Sequence, residues 1–221
     1  MLPFTRDEFF SVFAAYNDAI WPAQVGAYIL ATAALVAIGL NRSYSRRLAF
    51  GTLSILWIWT GVAYNGLFFA KVNSAAIAFG VLFCIQGLVF GFAALRARSS
   101  DTDTRLRQSL WGWLLVVYAS VIYPVIGHLS GHVYPATPTF GLTPCPLVIF
   151  TFGALLIIRP GTHWTYLAIP TLWAIIGGTA ALLLGVVQDW VLPIAAVTTA
   201  IPLAIGFRNR QTQGLGPKGT E

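Results

Sequence analysis

The chain of 221 residues is 57% hydrophobic and only 9% charged, with a formal net charge of +6. A soluble domain has about a quarter of its residues charged, so this composition excludes an ordinary water-soluble enzyme or binding module. The basic excess does not point to nucleic acid either, because the Lys and Arg residues fall in short gaps between apolar runs and form no aromatic-studded basic face.

The amino-terminal lead, residues 1–19, reads as a persistent interfacial segment. Arg6 is followed by Asp7 and Glu8, and no short apolar core with a small-residue cleavage site precedes the first long apolar run. Thr5 and Glu8 have capping-box spacing, while Phe9, Phe13, Tyr16 and Ile20 recur on one helical face. The segment is expected to lie along the outer interface as an amphipathic helix, as an anchor or as a lid over an outward-facing cavity, and to turn inward near Trp21 and Pro22.

Residues 20–207 contain apolar stretches near 20–40, 48–69, 74–95, 110–129, 144–158, 166–185 and 190–207. A crossing needs about 20 apolar residues, because lipid offers no hydrogen-bond partner and a helix rises about 1.5 Å per residue. The expectation is an all-α, polytopic transmembrane bundle of about seven helices, with 144–158 short enough to leave open whether it spans fully. Of the thirteen basic residues, all but Arg6 and Lys71 fall in alternate gaps or in the tail. By the positive-inside rule the amino terminus is then outside and the carboxyl terminus cytoplasmic, with 208–221 a disordered tail.

Gly87 with Gly91, and Gly177 with Ala181 and Gly185, recur every fourth residue and mark expected helix-packing faces. No Asp, Glu, Lys or Arg falls near the middle of a span, which argues against a proton-coupled pump. Asn65 and Gln86 supply uncharged polarity at depth. The two cysteines, Cys84 and Cys145, are too few for a disulfide framework and are expected as free thiols.

Side chains suited to chemistry gather in His128–Pro146. His128 and His132 are four apart and share a face if the helix continues that far, and Cys145 opens the next stretch. Imidazole with thiolate suits zinc or copper, so these three are candidate metal ligands, although a zinc centre needs a fourth donor or an open water position. Cys145 with either histidine lacks the orienting group and oxyanion donor of a hydrolase, and no P-loop or dinucleotide fingerprint is present. No enzymatic activity is expected.

The segments MLPFTRDEFFSVFAAYNDAIWP, GVAYNGLFFAKVNSAA, HLSGHVYPATPTFGLTPCPLVIFTFG and IPTLWAIIGGTAALLLGVVQDW resemble an uncharacterised bacterial family of multi-pass membrane proteins, a domain of unknown function whose members are sometimes labelled permeases. The resemblance covers nearly the whole chain and implies a bacterial inner-membrane location. The functional expectation is a permease-like or binding protein with a periplasm-facing site for a small solute or soft metal ion. Asn17, Asp18, Tyr134 and Asp189 would shape its entrance, with Asn65 and Gln86 deeper. The competing expectation is an accessory or assembly subunit that packs against a membrane-protein partner or another copy of itself.

Overall fold

The computed structural model describes residues 3–97, 109–158, 164–199 and 201, and among these every regular element is helical. Helix α1 (Arg6–Ile20) starts with the expected capping box: the Glu8 amide donates to Thr5 Oγ1 at 3.2 Å, and the Glu8 carboxylate accepts from the Thr5 amide at 2.7 Å. The chain then bends by 82° into α2 (Ala23–Gly39). Helix α3 (Ser45–Trp59) continues through a π-helical stretch, Thr60–Phe68, and a 3-10 turn, Phe69–Lys71. Helix α4 is Ala76–Arg96. Helices α5 (Leu110–Val117) and α6 (Tyr123–Leu129) are joined by a second π stretch, Tyr118–Ile122. After the loop 130–143 come α7 (Pro144–Ile158) and α8 (Ala168–Leu184), then a 3-10 turn, Val187–Trp190, and α9 over 191–199.

Four helical units are long and apolar enough to cross a membrane: Ser45–Lys71, Ala76–Arg96, Leu110–Leu129 and Trp164–Leu184. The bent α1–α2 pair makes a fifth if it counts as one span. This falls short of the seven crossings expected. Helix α7 spans only 15 residues, about 22 Å at the α-helical rise. The expected last span, 190–207, extends past the described residues. So do the tail 208–221 and the basic residues Arg98, Arg105, Arg107, Arg159, Arg208, Arg210 and Lys218. Large apolar side chains such as Leu67, Leu88, Leu95, Leu110 and Leu182 point outward from the long helices, as a lipid-facing surface requires.

Helix α7 has no outward face: every residue except Cys145 is buried. Its amino-terminal turn therefore begins away from water, where free backbone N–H groups are costly. Pro144 and Pro146 remove two of those donors from the first turn. The loop that delivers this buried start is itself held by a polar clasp on α1. Asn17 Nδ2 donates to the carbonyls of Pro135 at 2.7 Å and Thr137 at 2.8 Å, and its Oδ1 accepts from Thr139 Oγ1 at 3.0 Å. Tyr16 OH donates to the Leu142 carbonyl at 2.8 Å. At the far end of α7, Arg46 donates to the Ile158 carbonyl at 3.2 Å, so the helix runs from the α1 side of the bundle to the start of α3.

Paired glycines set the closest helix approaches. A Cβ on Gly153 would lie 2.7 Å from the Gly112 carbonyl oxygen, and one on Gly112 would lie 2.9 Å from the Gly153 carbonyl oxygen, which seats α5 against α7 backbone to backbone. Gly61 and Gly80 form a second such pair between the π stretch of α3 and α4. Gly87 and Gly91 press on Ile58 and Ser54, so that spacing does mark a packing face.

Gly153→Ala is expected to lower the unfolding midpoint of the detergent-purified protein, at a cost of about 1–3 kcal/mol, because the opposing atom is backbone and cannot rotate away. Asn17→Ala removes three hydrogen bonds to half-buried atoms of the loop, although the Pro135 carbonyl keeps the Thr137 amide, and is expected to cost about 1–3 kcal/mol, whereas Asp18→Asn at an exposed position is expected to change stability by less than about 0.5 kcal/mol. Comparing thermal unfolding of the two variants checks this contrast.

Candidate functional site

A cavity of about 400 Å³ opens at the end of the bundle where the start of α1, the end of the α3 unit, the start of α7 and the end of α8 converge. One side of its wall is aromatic, with Phe4, Phe9 and Phe13 from the amino-terminal segment, Tyr64 and Phe69 from the α3 unit, Phe79 from α4 and Trp173 from α8, and the rest is chiefly small and aliphatic side chains of α8. The rings brace one another, with Phe4 and Phe9 stacked at 5.8 Å and Phe9 edge-on to Phe69 at 6.0 Å. Gly177 and Ala181 of the α8 stripe line the cavity, and a Cβ on Gly177 would also meet Trp173 at 3.1 Å and Leu192 at 3.4 Å, so the stripe borders the cavity as well as a packing contact. Gly185, its third member, takes the left-handed conformation (φ +69°) that ends α8. The Val186 amide then donates back to the Ala181 carbonyl at 3.0 Å, a Schellman-type closure that aims the next turn across the bundle.

That turn presents Asp189 to the cavity, 3% exposed. Tyr123 OH donates to Asp189 Oδ1 at 2.5 Å, and the Cys145 thiol lies in hydrogen-bonding reach of the same carboxylate. Burial raises the Asp189 carboxyl to about 6, against the opposing pull of these two donors. Tyr118 OH fixes the turn from behind, donating to the Gln188 carbonyl at 2.8 Å. Trp173 Nε1 sits near the Cys145 sulfur but outside hydrogen-bonding geometry, and has no partner among the described residues.

Both π stretches serve this site. In a π-helix the backbone bonds run from i to i+5, which brings residues five apart onto one face. Tyr118 and Tyr123 are such a pair, with the Tyr123 amide donating to the Tyr118 carbonyl, and both hydroxyls reach the 187–190 turn. Tyr64 and Phe69 are another, stacked at 5.7 Å on the cavity wall.

The other candidates fall elsewhere. Asn17 is committed to the loop clasp, its own carbonyl accepting from Gln24 and, at 3.4 Å, from Tyr134 OH; Asp18 is exposed. Asn65 and Gln86 are fully buried but do not line the cavity. Asn65 donates to the Thr60 carbonyl at 3.3 Å, whereas both amide atoms of Gln86 lack partners.

The three candidate metal ligands are not brought together. Helix α6 ends at Leu129, and Gly131 takes a positive φ of 88°, so His128 and His132 do not share a helical face. His128 is exposed. His132 is buried, stacked on Phe10 at 4.2 Å, with Nε2 3.3 Å from an Arg6 guanidinium nitrogen; burial and that guanidinium hold its pKa below the usual histidine value. Among the described residues no group of three His, Cys, Asp or Glu side chains is placed to hold a metal ion. Cys145 pairs with Asp189 instead. Sequence reasoning missed Tyr123 and Trp173 as site residues, although Trp173 lies inside the 166–185 stretch and not at its end.

The folded protein binds a proton at Asp189 more tightly than the unfolded chain does, since 3.8 rises to about 6. Its stabilising contribution is therefore complete below pH about 4 and is lost as the pH rises through about 6. Asp189→Asn is expected to be more stable than wild type at pH about 7.5, by up to about 3 kcal/mol, with the advantage shrinking toward pH about 4. Unfolding midpoints across that range read the difference directly.

No curated protein matches the chain, and no solved structure does. Over residues 6–215, nearly its whole length, the sequence matches a family whose description names no activity. The chain belongs to that family, the family of unknown function DUF6064.

Proposed function

We propose that this is a permease-like or binding protein of the bacterial inner membrane, which takes a small, largely apolar solute into the aromatic cavity and anchors it on Asp189. The observation that carries this reading is the cavity itself: about 400 Å³ of mainly apolar space converging on one buried carboxylate. Small-molecule sites have this form, an apolar chamber of about 300–1,000 Å³ with few polar groups that fix orientation. A soft metal ion is not part of the reading, because the imidazoles and the thiol lie apart. An accessory subunit would need packing faces but no internal chamber.

Under the same proposal the chain passes through the bundle seven times, counting the fully enclosed α7 and the bent α1–α2 pair as one pass each. The cavity end then faces the periplasm, since Arg6 and Lys71 are the basic residues on that side and the other eleven of the thirteen fall on the opposite one. The carboxyl terminus is cytoplasmic.

Filling the chamber tests the reading. Small aromatic compounds are expected to raise the unfolding midpoint of the purified wild-type protein, by an amount equivalent to about 2.7 kcal/mol at a hundredfold excess over Kd. Ala181→Phe, which projects a ring into the space, is expected to abolish that shift while the variant remains folded. An equal shift in both proteins places binding elsewhere and removes the proposal.

A further inference from the structure

We infer that the solute is an organic cation, a protonated amine on an apolar and preferably aromatic body, with its ammonium group on Asp189 and its body among the cavity rings. This rests on the cavity being a binding site and specifies what the site selects.

Charge balance is the first argument. Asp189 is buried beside an apolar chamber, and its hydrogen-bond partners, Tyr123 and Cys145, are neutral donors. The titratable groups that face it are Tyr64, Tyr118, Tyr123 and Cys145, none of which carries a positive charge. No basic side chain among the described residues acts on it. A neutral ligand can add a hydrogen bond but leaves the carboxylate charge uncompensated, whereas an ammonium group cancels it with a charge-assisted bond in a medium of low dielectric. An anionic ligand is repelled.

The walls give the second, independent argument. Aromatic faces attract cations through their quadrupoles, and aromatic cages are a recurrent means of holding ammonium groups. Tyr64, Phe69 and Trp173 line the cavity together with Asp189 and Cys145, and the amino-terminal phenylalanines pack directly against Tyr64 and Phe69. Such rings also accommodate a flat apolar body.

The experiment uses the full chain purified in detergent and a series of phenylalkylamines of increasing chain length, each with its matched phenylalkanol and phenylalkanoate. Binding is followed by calorimetry at pH about 7.5. The amines are expected to bind about tenfold or more tightly than the matched alcohols, and the carboxylates more weakly than either. Asp189→Asn is expected to erase the preference for amine over alcohol while alcohol binding persists, which also shows that the variant is folded. Lowering the pH to about 5, which protonates Asp189, is expected to weaken the amines and leave the alcohols unchanged. Equal affinity for amines and alcohols, or a preference that survives Asp189→Asn, overturns the cationic assignment and leaves the cavity reading standing. If none of the compounds binds, the cavity reading fails and this inference with it.

Discussion

A helix with no solvent- or lipid-facing side must be wrapped, and the enclosure of α7 imposes most of what surrounds it. Its flanking helices have to approach closely, which Gly112 and Gly153 permit by bringing two backbones into contact. Its start has to lie inside the protein, so the loop before it brings the half-buried Pro135 and Thr137 carbonyls and the buried Leu142 carbonyl against α1, where Asn17 and Tyr16 donate to them. The prolines at 144 and 146 belong to the same solution, since they remove donors that nothing could satisfy. Helix α1 is thereby fixed over the mouth of the bundle, and its phenylalanines become one wall of the cavity.

The apolar stretches were legible because crossing length and composition are local properties, and the capping box at Thr5 and Glu8 was legible for the same reason. The cavity was not, because it depends on departures from the helical period that pattern reading assumes. At 3.6 residues per turn, Tyr118 and Tyr123 point to different sides of a helix, as do Tyr64 and Phe69. The π stretches bring each pair together, and no residue type in Thr60–Phe68 or Tyr118–Ile122 announces the change of period. The carboxylate itself, Asp189, was visible as a candidate; its partners were not.

The misplaced metal site has an equally specific cause. The spacing of His128 and His132 has meaning only on a continuous helix, and the chain leaves α6 at Leu129 before the second imidazole is reached. His132 then turns against α1, where Phe10 and Arg6 receive it, while Cys145 sits at the start of a helix whose neighbour is the 187–190 turn. Spacing along the sequence identified residues in and on either side of one loop, His128 at the end of α6, His132 in the loop and Cys145 in the first turn of α7, and the path of the loop carries them to different surroundings.

Buried polarity in this protein divides by how fully it is satisfied. Asn17 uses both ends of its amide on the loop, its Nδ2 on the Pro135 and Thr137 carbonyls and its Oδ1 on the Thr139 hydroxyl, so its burial stabilises the fold and leaves no capacity for a ligand. Asp189 is the opposite case. Tyr123 and Cys145 reduce the penalty of its charge without cancelling it, and its carboxyl remains raised despite them. A shape-matched neutral residue would serve stability better, as replacing buried charges with apolar groups often does. Selection for the fold alone does not account for a carboxylate held at this cost beside an apolar chamber; a partner arriving from outside, able to supply the missing charge, does.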